Sequence, residues 1–317
     1  MLQPISAGLN TALSPVRPSR PFRFLGSLLQ ILTGNRKALV GFVIIGIMII
    51  VAVFAPLISP YDPSAAIFNP GIGPTRAHLL GTTAPQGADI FSQLVWGTRE
   101  TLLIALLAGL FTTVLAILFG VTAAYMGGVV DNLLSSITDI FLVIPALPLM
   151  IIIAAFAQGG GMWVLIAVIS VTGWSYGARQ MRPQALSLRN RDFLESARVR
   201  GEGAVYLIAC ELLPNMLSLI VAIFLGAALY AVLASAGLQF IGLGNPSDQS
   251  WGTMLYWANN SEALYSGSPL WVIVPGACIA LLGAAVALIN YAVDEIGNPA
   301  LRTAKRRKRG RRAPAPG

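Results

Sequence analysis

The sequence has 317 residues, of which 56% are hydrophobic and only 11% are charged, and its formal net charge is +8. Because soluble domains carry about 25% charged residues, this composition excludes an ordinary soluble enzyme and a disordered chain, and it predicts a protein embedded in a bilayer. Two cysteines and a single histidine, His78, exclude a disulfide-dense scaffold and leave little room for a zinc site, so we predict no bound metal.

Long apolar stretches predict an all-α membrane protein with six transmembrane helices, since a spanning helix needs about 20 mostly apolar residues. The stretches are 38–58, 101–126, 133–157, 162–178, 216–240 and 270–293. The first is too long and begins too late for a cleaved signal peptide, and we interpret it as a membrane anchor. The chain then divides into a disordered cytosolic tail (1–35), a first helix with an extracellular segment (36–100), a five-helix core (101–302) and a basic disordered tail (303–317).

The positions of lysine and arginine predict the orientation of these helices. Nearly all of them lie in the tail that ends at Lys37, in the segment 179–215, and in the tail that begins at Arg302. With six spans these three regions share one side of the membrane, which the positive-inside rule assigns to the cytosol. Both termini are therefore predicted to be cytosolic, and 59–100 and 241–269 to be extracellular. Five aromatic residues are predicted to mark the outer headgroup interface: Trp251, Tyr256, Trp257, Tyr265 and Trp271.

Sequence motifs of common enzymes and nucleotide-binding proteins are missing. The only lysines are Lys37, Lys305 and Lys308, and none belongs to a phosphate-binding loop, so the chain cannot hold ATP by itself. We interpret the basic tail after Arg302 as contacting anionic lipid headgroups rather than nucleic acid. The main acid inside a span is Asp139, which could serve a proton relay or be a hydrogen-bonded helix-end acid, and we favour the second interpretation.

The cytosolic segment 180–215 is patterned rather than a simple connector. Asp192 and Glu195 predict a helix start that resembles a capping box, and Gly201 predicts the end of that helix. Phe193, Leu194 and Ala197 should share one face. A second helical run extends from Ala204 to Leu213. From the pattern alone, the first helix fits a pocket on another protein and a headgroup surface equally well.

The same segment resembles the permease signature of ATP-binding cassette (ABC) importers, which is Glu-Ala-Ala, three residues, Gly, and then Leu-Pro-Asn after about a dozen residues. Here it reads Glu195-Ser196-Ala197, Gly201 and Leu213-Pro214-Asn215. Four further stretches resemble the C-type permease subunit of dipeptide and oligopeptide importers, so that the likeness covers about 36–302. They are 78–89 (HLLGTTAPQGAD), 238–244 (LQFIGLG) with Trp251-Gly252, 139–145 (DIFLVIP) and 299–302 (PALR).

The resemblance implies a type I importer permease in the cytoplasmic (inner) membrane of a prokaryote. It implies pairing with a related B-type permease, two ABC ATPase subunits that bind ATP and magnesium, and an extracellular solute-binding protein that docks on the outer segments. It makes 191–201 a coupling helix. The residues implied in coupling to the ATPases are Phe193, Leu194, Glu195, Ser196, Ala197, Arg198, Gly201, Leu213, Pro214 and Asn215.

The translocation path is expected to be lined by the second, third and fifth spans. Asp139, Pro145 and Pro148 are its candidate residues, and the two prolines could break the third helix and free its carbonyls or be structural kinks only. The resemblance implies peptide cargo, with oligosaccharide or nickel as alternatives. An alternative hypothesis from another functional class is that the protein is a secondary transporter or a channel that works without ATPases.

Overall fold

The computed structural model describes residues 36–84, 86–157 and 160–297, and within them the chain is almost entirely helical. The predicted tails, 1–35 and 303–317, and the stretch 299–302 lie outside the described residues. The helices are α1 (Arg36–Val53), α2 (Ala55–Ile58), α3 (Ile90–Met126), α4 (Gly128–Val143), α5 (Ala146–Phe156), α6 (Gly161–Arg189), α7 (Asp192–Val199), α8 (Ala204–Asn215), α9 (Leu217–Phe240), α10 (Trp251–Asn260) and α11 (Leu270–Gly297).

Four of these helices, α3, α6, α9 and α11, are long and apolar enough to cross a membrane. The predicted third span, 133–157, is not one helix: α4 and α5 meet at a bend of 87° and give a fifth crossing only if the pair is one span. The bend lies at Ile144 and Pro145, which both have extended backbones. Pro145 and Pro148 lack the N–H groups that would continue a helix across this point.

The predicted first span is also shorter than expected. Its apolar helix runs over Lys37–Val53, and α2 follows after Phe54. Pro56 accounts for the interruption, because it cannot donate a hydrogen bond to the carbonyl of Ala52 and is tolerated only in the first turn of a new helix. The all-α fold is thus confirmed. By length and composition, four helices of the described residues could cross a membrane, or five if α4 and α5 form one span, and the helix Lys37–Val53 at the predicted first span is shorter.

Small residues set the spacing of the central helices. A Cβ placed on Gly109 of α3 would lie 3.0 Å from the Cα and Cβ of Ala228 on α9, so a larger residue would require the two helices to move apart. Helix α3 packs against both α9 and α6, and α6 and α9 also contact each other. This arrangement places α3 at the centre of the described bundle.

The two segments predicted to be extracellular pack against each other. Ser268 Oγ donates a hydrogen bond to the carbonyl of Thr82 at 3.0 Å, and Trp271 Nε1 donates to Gln93 Oε1 at 3.0 Å. Trp251 and Trp271 are fully buried, so the prediction that they mark the headgroup interface is wrong: both belong to a core that joins α3, α10 and α11. Tyr265 is exposed.

Candidate functional site

The predicted coupling helix forms as α7, but its start differs from the prediction. Arg191 is the N-cap residue, with an extended backbone and no side-chain hydrogen bond to the helix, and Asp192 is the first helical residue. The expected capping box at Asp192 is therefore wrong. Asp192 and Glu195 both lie in the first turn, where their negative charges still stabilise the helix dipole.

The apolar face of α7 is turned toward the rest of this chain. Leu194 and Ala197 are both 0% exposed and Phe193 is half-buried. They pack in a cluster with residues of α6 and α8, among them Met181, Leu207 and Leu212. The prediction that Leu194 and Ala197 enter a pocket of an ATPase is corrected by this burial, because a fully buried side chain has no surface left for a partner. They anchor the helix instead.

The opposite face of α7 is open. Glu195, Ser196 and Arg198 are exposed, and the Val199 side chain is 85% exposed at the end of the helix. Val199 is therefore a surface residue of the described chain and not part of its core. Val205, at the start of α8, is exposed to the same degree, at 82%.

Gly201 ends the helix, as its position predicts. Its φ is +84°, a left-handed conformation that favours glycine. The Gly201 amide donates to the Arg198 carbonyl at 2.9 Å and the Glu202 amide donates to the Ala197 carbonyl at 3.3 Å, which together form a Schellman motif. A Cβ at Gly201 would meet no atom within 4 Å, so the backbone conformation alone requires glycine in this chain.

Helix α8 continues directly from this turn and carries the Leu-Pro-Asn end of the signature. It widens to a π-helix over Leu207–Leu212, just before Pro214, which cannot donate to the carbonyl of Cys210. Asn215 Nδ2 donates to the Glu211 carbonyl at 2.7 Å, and an Arg200–Glu211 ion pair of 3.8 Å joins the turn to α8. Leu213 is half-buried, whereas Pro214 and Asn215 are exposed.

The three candidate path residues are not brought together. Pro145 is the N-cap of α5 and lines a cavity of about 720 Å³ between α4, α6 and α9. Pro148 lies in the first turn of α5 and is not among the lining residues. Asp139 pairs with Arg179 of α6 and lines a separate polar cavity, next to a bidentate Asp131–Arg182 pair with contacts of 2.9 and 2.8 Å.

Sequence reasoning missed two polar residues on the larger cavity. Thr112 of α3 and Asn290 of α11 both line it, and the Thr112 Oγ1 and Asn290 Oδ1 atoms are buried without a hydrogen-bond partner among the described residues. A polar side chain inside an apolar span is the signal that could have found them. In the part of the chain that the structure describes, no three metal-binding side chains cluster together.

Comparison with known proteins identifies the family. Residues 116–296 match the model of the binding-protein-dependent transport system inner membrane component. The chain belongs to this family. Residues 24–75 also match the N-terminal transmembrane domain of oligopeptide transport permease C. The first match contains α4 to α10 and nearly all of α11, and therefore α7 and the whole lining of the 720 Å³ cavity except Thr112.

Curated relatives of this family member are permeases of peptide transport systems. The dipeptide transport system permease protein DppC of Haemophilus influenzae is 32% identical, over 84% of this chain and 92% of its own length. DppC of Alkalihalophilus pseudofirmus is 34% identical over 85% and 88% of the two chains. The oligopeptide transport system permease protein OppC of Bacillus subtilis is 31% identical over 69% and 72%.

A solved structure shares the fold. An inward-facing conformation of the MetNI methionine ABC transporter aligns with a TM-score of 0.51 and 24% identity, covering 65% of this chain and 95% of that one. At this level of identity the likeness establishes the fold of the permease and nothing more specific. The chain is thus a multi-pass membrane permease with the helical architecture of an ABC importer subunit.

Proposed function

We propose that this chain is the permease subunit of an ABC importer for dipeptides or oligopeptides in the cytoplasmic (inner) membrane, with both termini in the cytosol. The names of the relatives support the peptide cargo. A related B-type permease supplies the other half of the translocation path, and a solute-binding protein delivers the peptide. The packed outer surface of 59–89 and 241–269 is the docking site of that protein.

Energy comes from two ABC ATPase subunits that bind ATP and magnesium. The chain carries no phosphate-binding loop and its three lysines are far from any such context, so its own contribution is mechanical. Helix α7 transmits the movement. The observation that carries this proposal is its two-sided burial: Leu194 and Ala197 are fixed in the permease core while Glu195, Ser196 and Val199 are exposed.

This division of faces assigns roles to the residues of the signature. Glu195, Ser196, Arg198 and Val199 contact the ATPase, Leu194 and Ala197 hold the helix to α6 and α8, and Phe193 lies between the two faces. Gly201 lets the chain turn sharply into α8. Leu213, Pro214 and Asn215 continue the same rigid unit toward α9. When ATP closes the ATPase dimer, the pull on α7 rocks α6 and α9 and opens the path to the other side.

The ATPase contact can be tested by introducing a negative charge on the exposed face of α7. Val199→Glu removes an exposed apolar contact without touching the core, so the membrane-inserted permease pair should be recovered in normal amount while the ATPase subunits are lost from a mild-detergent purification. The matched control for ATPase co-purification is Ile67→Glu, a similarly exposed apolar residue (78%) on the extracellular side; because Ile67 belongs to the proposed docking surface, this control is read by co-purification and not by uptake. Retention of the ATPases and of ATP-driven peptide uptake in Val199→Glu would contradict the proposed contact.

A further inference from the structure

The wall of the 720 Å³ cavity combines a broken helix with buried polar groups. Its wall runs from the α4–α5 bend across the middle of α6 and α9 to Asn290 of α11. This volume is in the range of binding sites for small ligands, which are mostly apolar with a few polar groups. None of its lining residues is an acid, a lysine, an arginine or a histidine.

Two of its polar side chains are incompletely bonded. Thr112 is 4% exposed and its Oγ1 has no hydrogen-bond partner among the described residues, although a threonine in a helix commonly bonds the carbonyl four residues earlier. Thr113, next to it, makes that bond to Gly109 at 2.7 Å. Asn290 Oδ1 is likewise buried and unpaired. A buried polar atom without a partner costs free energy, and a ligand that bonds it would remove that cost.

The bend adds backbone acceptors to the same wall. Proline has no N–H, so Pro145 cannot donate to the Phe141 carbonyl and Pro148 cannot donate to the Ile144 carbonyl. Both Phe141 and Ile144 line the cavity. Inside a membrane protein, irregular backbone of this kind is tolerated where it lines a cavity or is covered by protein.

We propose that this cavity is a binding site for the backbone of an extended peptide, with Thr112 Oγ1 and Asn290 bonding its amide groups and the carbonyls of Phe141 and Ile144 accepting from its N–H groups. This inference rests on the proposed function, and it identifies the cavity as the part of the translocation path that this chain forms. Because the wall is uncharged and its donors and acceptors match an amide, the site recognises the peptide backbone and offers no ion pair to a charged side chain. A hydrated divalent cation such as nickel finds no carboxylate, imidazole or thiolate there.

Transport by the assembled complex in proteoliposomes tests the hydrogen-bonding role. The probe is a mixture of radiolabelled alanine di- to pentapeptides, and NiCl₂ is the second cargo. Thr112→Val keeps the shape and removes the hydroxyl, and it should lower peptide uptake per ATP hydrolysed about five-fold, the effect of one lost hydrogen bond. Thr112→Ser should restore uptake. Thr113→Val, which removes an equally buried hydroxyl bonded within its own helix, should transport as the wild type.

The outcomes separate the two proposals. If the wild-type complex takes up no peptide, or takes up nickel instead, the proposed function fails. If the wild type transports peptide and Thr112→Val matches Thr113→Val, the proposed function stands and the binding site is refuted.

Access to the cavity gives a second, independent measurement. A Cβ at Gly226, on the cavity wall, meets no atom within 4 Å, so Gly226→Cys introduces a thiol without a clash. A small water-soluble maleimide should label it in proteoliposomes, and the alanine peptides should slow the labelling under turnover. Gly46→Cys on α1, also in open space but off the cavity, should stay unlabelled. Mass spectrometry locates the modified residue. An unlabelled Gly226→Cys would mean that lipid fills the cavity and would overturn the proposal.

Discussion

Leu194→Ala is the substitution that most directly tests how α7 is attached. Leu194 is fully buried in the cluster that joins α6, α7 and α8, and Ala197 is the only other residue of the eight-residue helix that is equally buried. Truncation of a buried leucine to alanine costs about 3 kcal/mol through lost burial and the cavity left behind. With so few anchors, this cost falls on the local attachment of α7 rather than on the bundle.

Hydrogen exchange of the backbone amides measures that local cost. A loss of about 3 kcal/mol corresponds to roughly 100-fold faster exchange of the α7 amides, because each 1.4 kcal/mol is tenfold in the opening equilibrium. The amides of α3, at the centre of the bundle, should exchange as in the wild type. Val199→Ala is the matched control: it removes an apolar side chain from the same helix that is 85% exposed, and should leave exchange unchanged.

In a functional assay, Leu194→Ala should weaken the coupling between the binding protein and ATP hydrolysis. The assembled Leu194→Ala complex should still hydrolyse ATP, while the stimulation of hydrolysis by the peptide-loaded binding protein should fall with the exchange protection. Exchange of α7 within about three-fold of the wild type would refute the anchoring argument. Full stimulation despite fast exchange would refute the role of a rigid α7 in coupling.

Three further predictions concern the turn, the helix bundle and the outer loop. Gly201→Ala should destabilise the turn by about 1 kcal/mol through its left-handed backbone alone, and Gly201→Asn by less; equal exchange rates in the two variants would contradict this. A double-mutant cycle of Asp131→Asn with Arg182→Gln should give a coupling free energy of about 1 kcal/mol in thermal unfolding in detergent. Additive effects of the two substitutions would show that this ion pair does not stabilise the packing of α4 on α6. Burial raises the pKa of Asp248 above its ordinary value, although a hydrogen bond from the Asn245 side chain lowers it. Ionisation is therefore less favourable in the folded chain than in the unfolded one, and stability falls as pH rises through that range. Asp248→Asn should therefore raise the melting temperature at about pH 7 and lose the gain near pH 4, whereas a gain independent of pH would refute the charge as its cause.

Apolar stretch length predicted most of the helices because lipid requires every backbone group to be bonded within its own helix. The cores of α3, α9 and α11 fall where the sequence pattern puts them. The pattern failed where a proline lies inside an apolar run. Hydrophobicity counts Pro56 and Pro145 as part of a span, although each lacks the N–H that continues a helix, and the chain breaks or bends there.

The position of α7 in the sequence could be predicted, but the direction in which its apolar side chains point could not. Glycine at 201 fixed the end of α7, because a left-handed residue after a helix is a local property of the chain. The direction of Leu194 is not local. An apolar stripe on a short helix has the same spacing whether it packs on its own core or on a partner. The tertiary packing of α6 and α8 against this stripe determines that it is buried within the chain. The sequence also does not reveal that Thr112 Oγ1 and Asn290 Oδ1 lack hydrogen-bond partners, because this depends on the packing of helices that are distant in the sequence.

A Leu194 side chain that packs on the permease core suits a coupling helix better than one that points toward a partner protein. A helix that carries force between two proteins must be held on both sides, and the weaker attachment limits the free energy it can transmit. Burial of Leu194 is worth about 3 kcal/mol, and coupling free energies between sites are typically about 1–3 kcal/mol. The anchor is therefore just strong enough for the coupling that α7 is proposed to carry. Under this proposal, the attachment to the ATPase through the exposed face with Glu195 and Val199 needs only a similar strength, so few outward apolar residues would suffice.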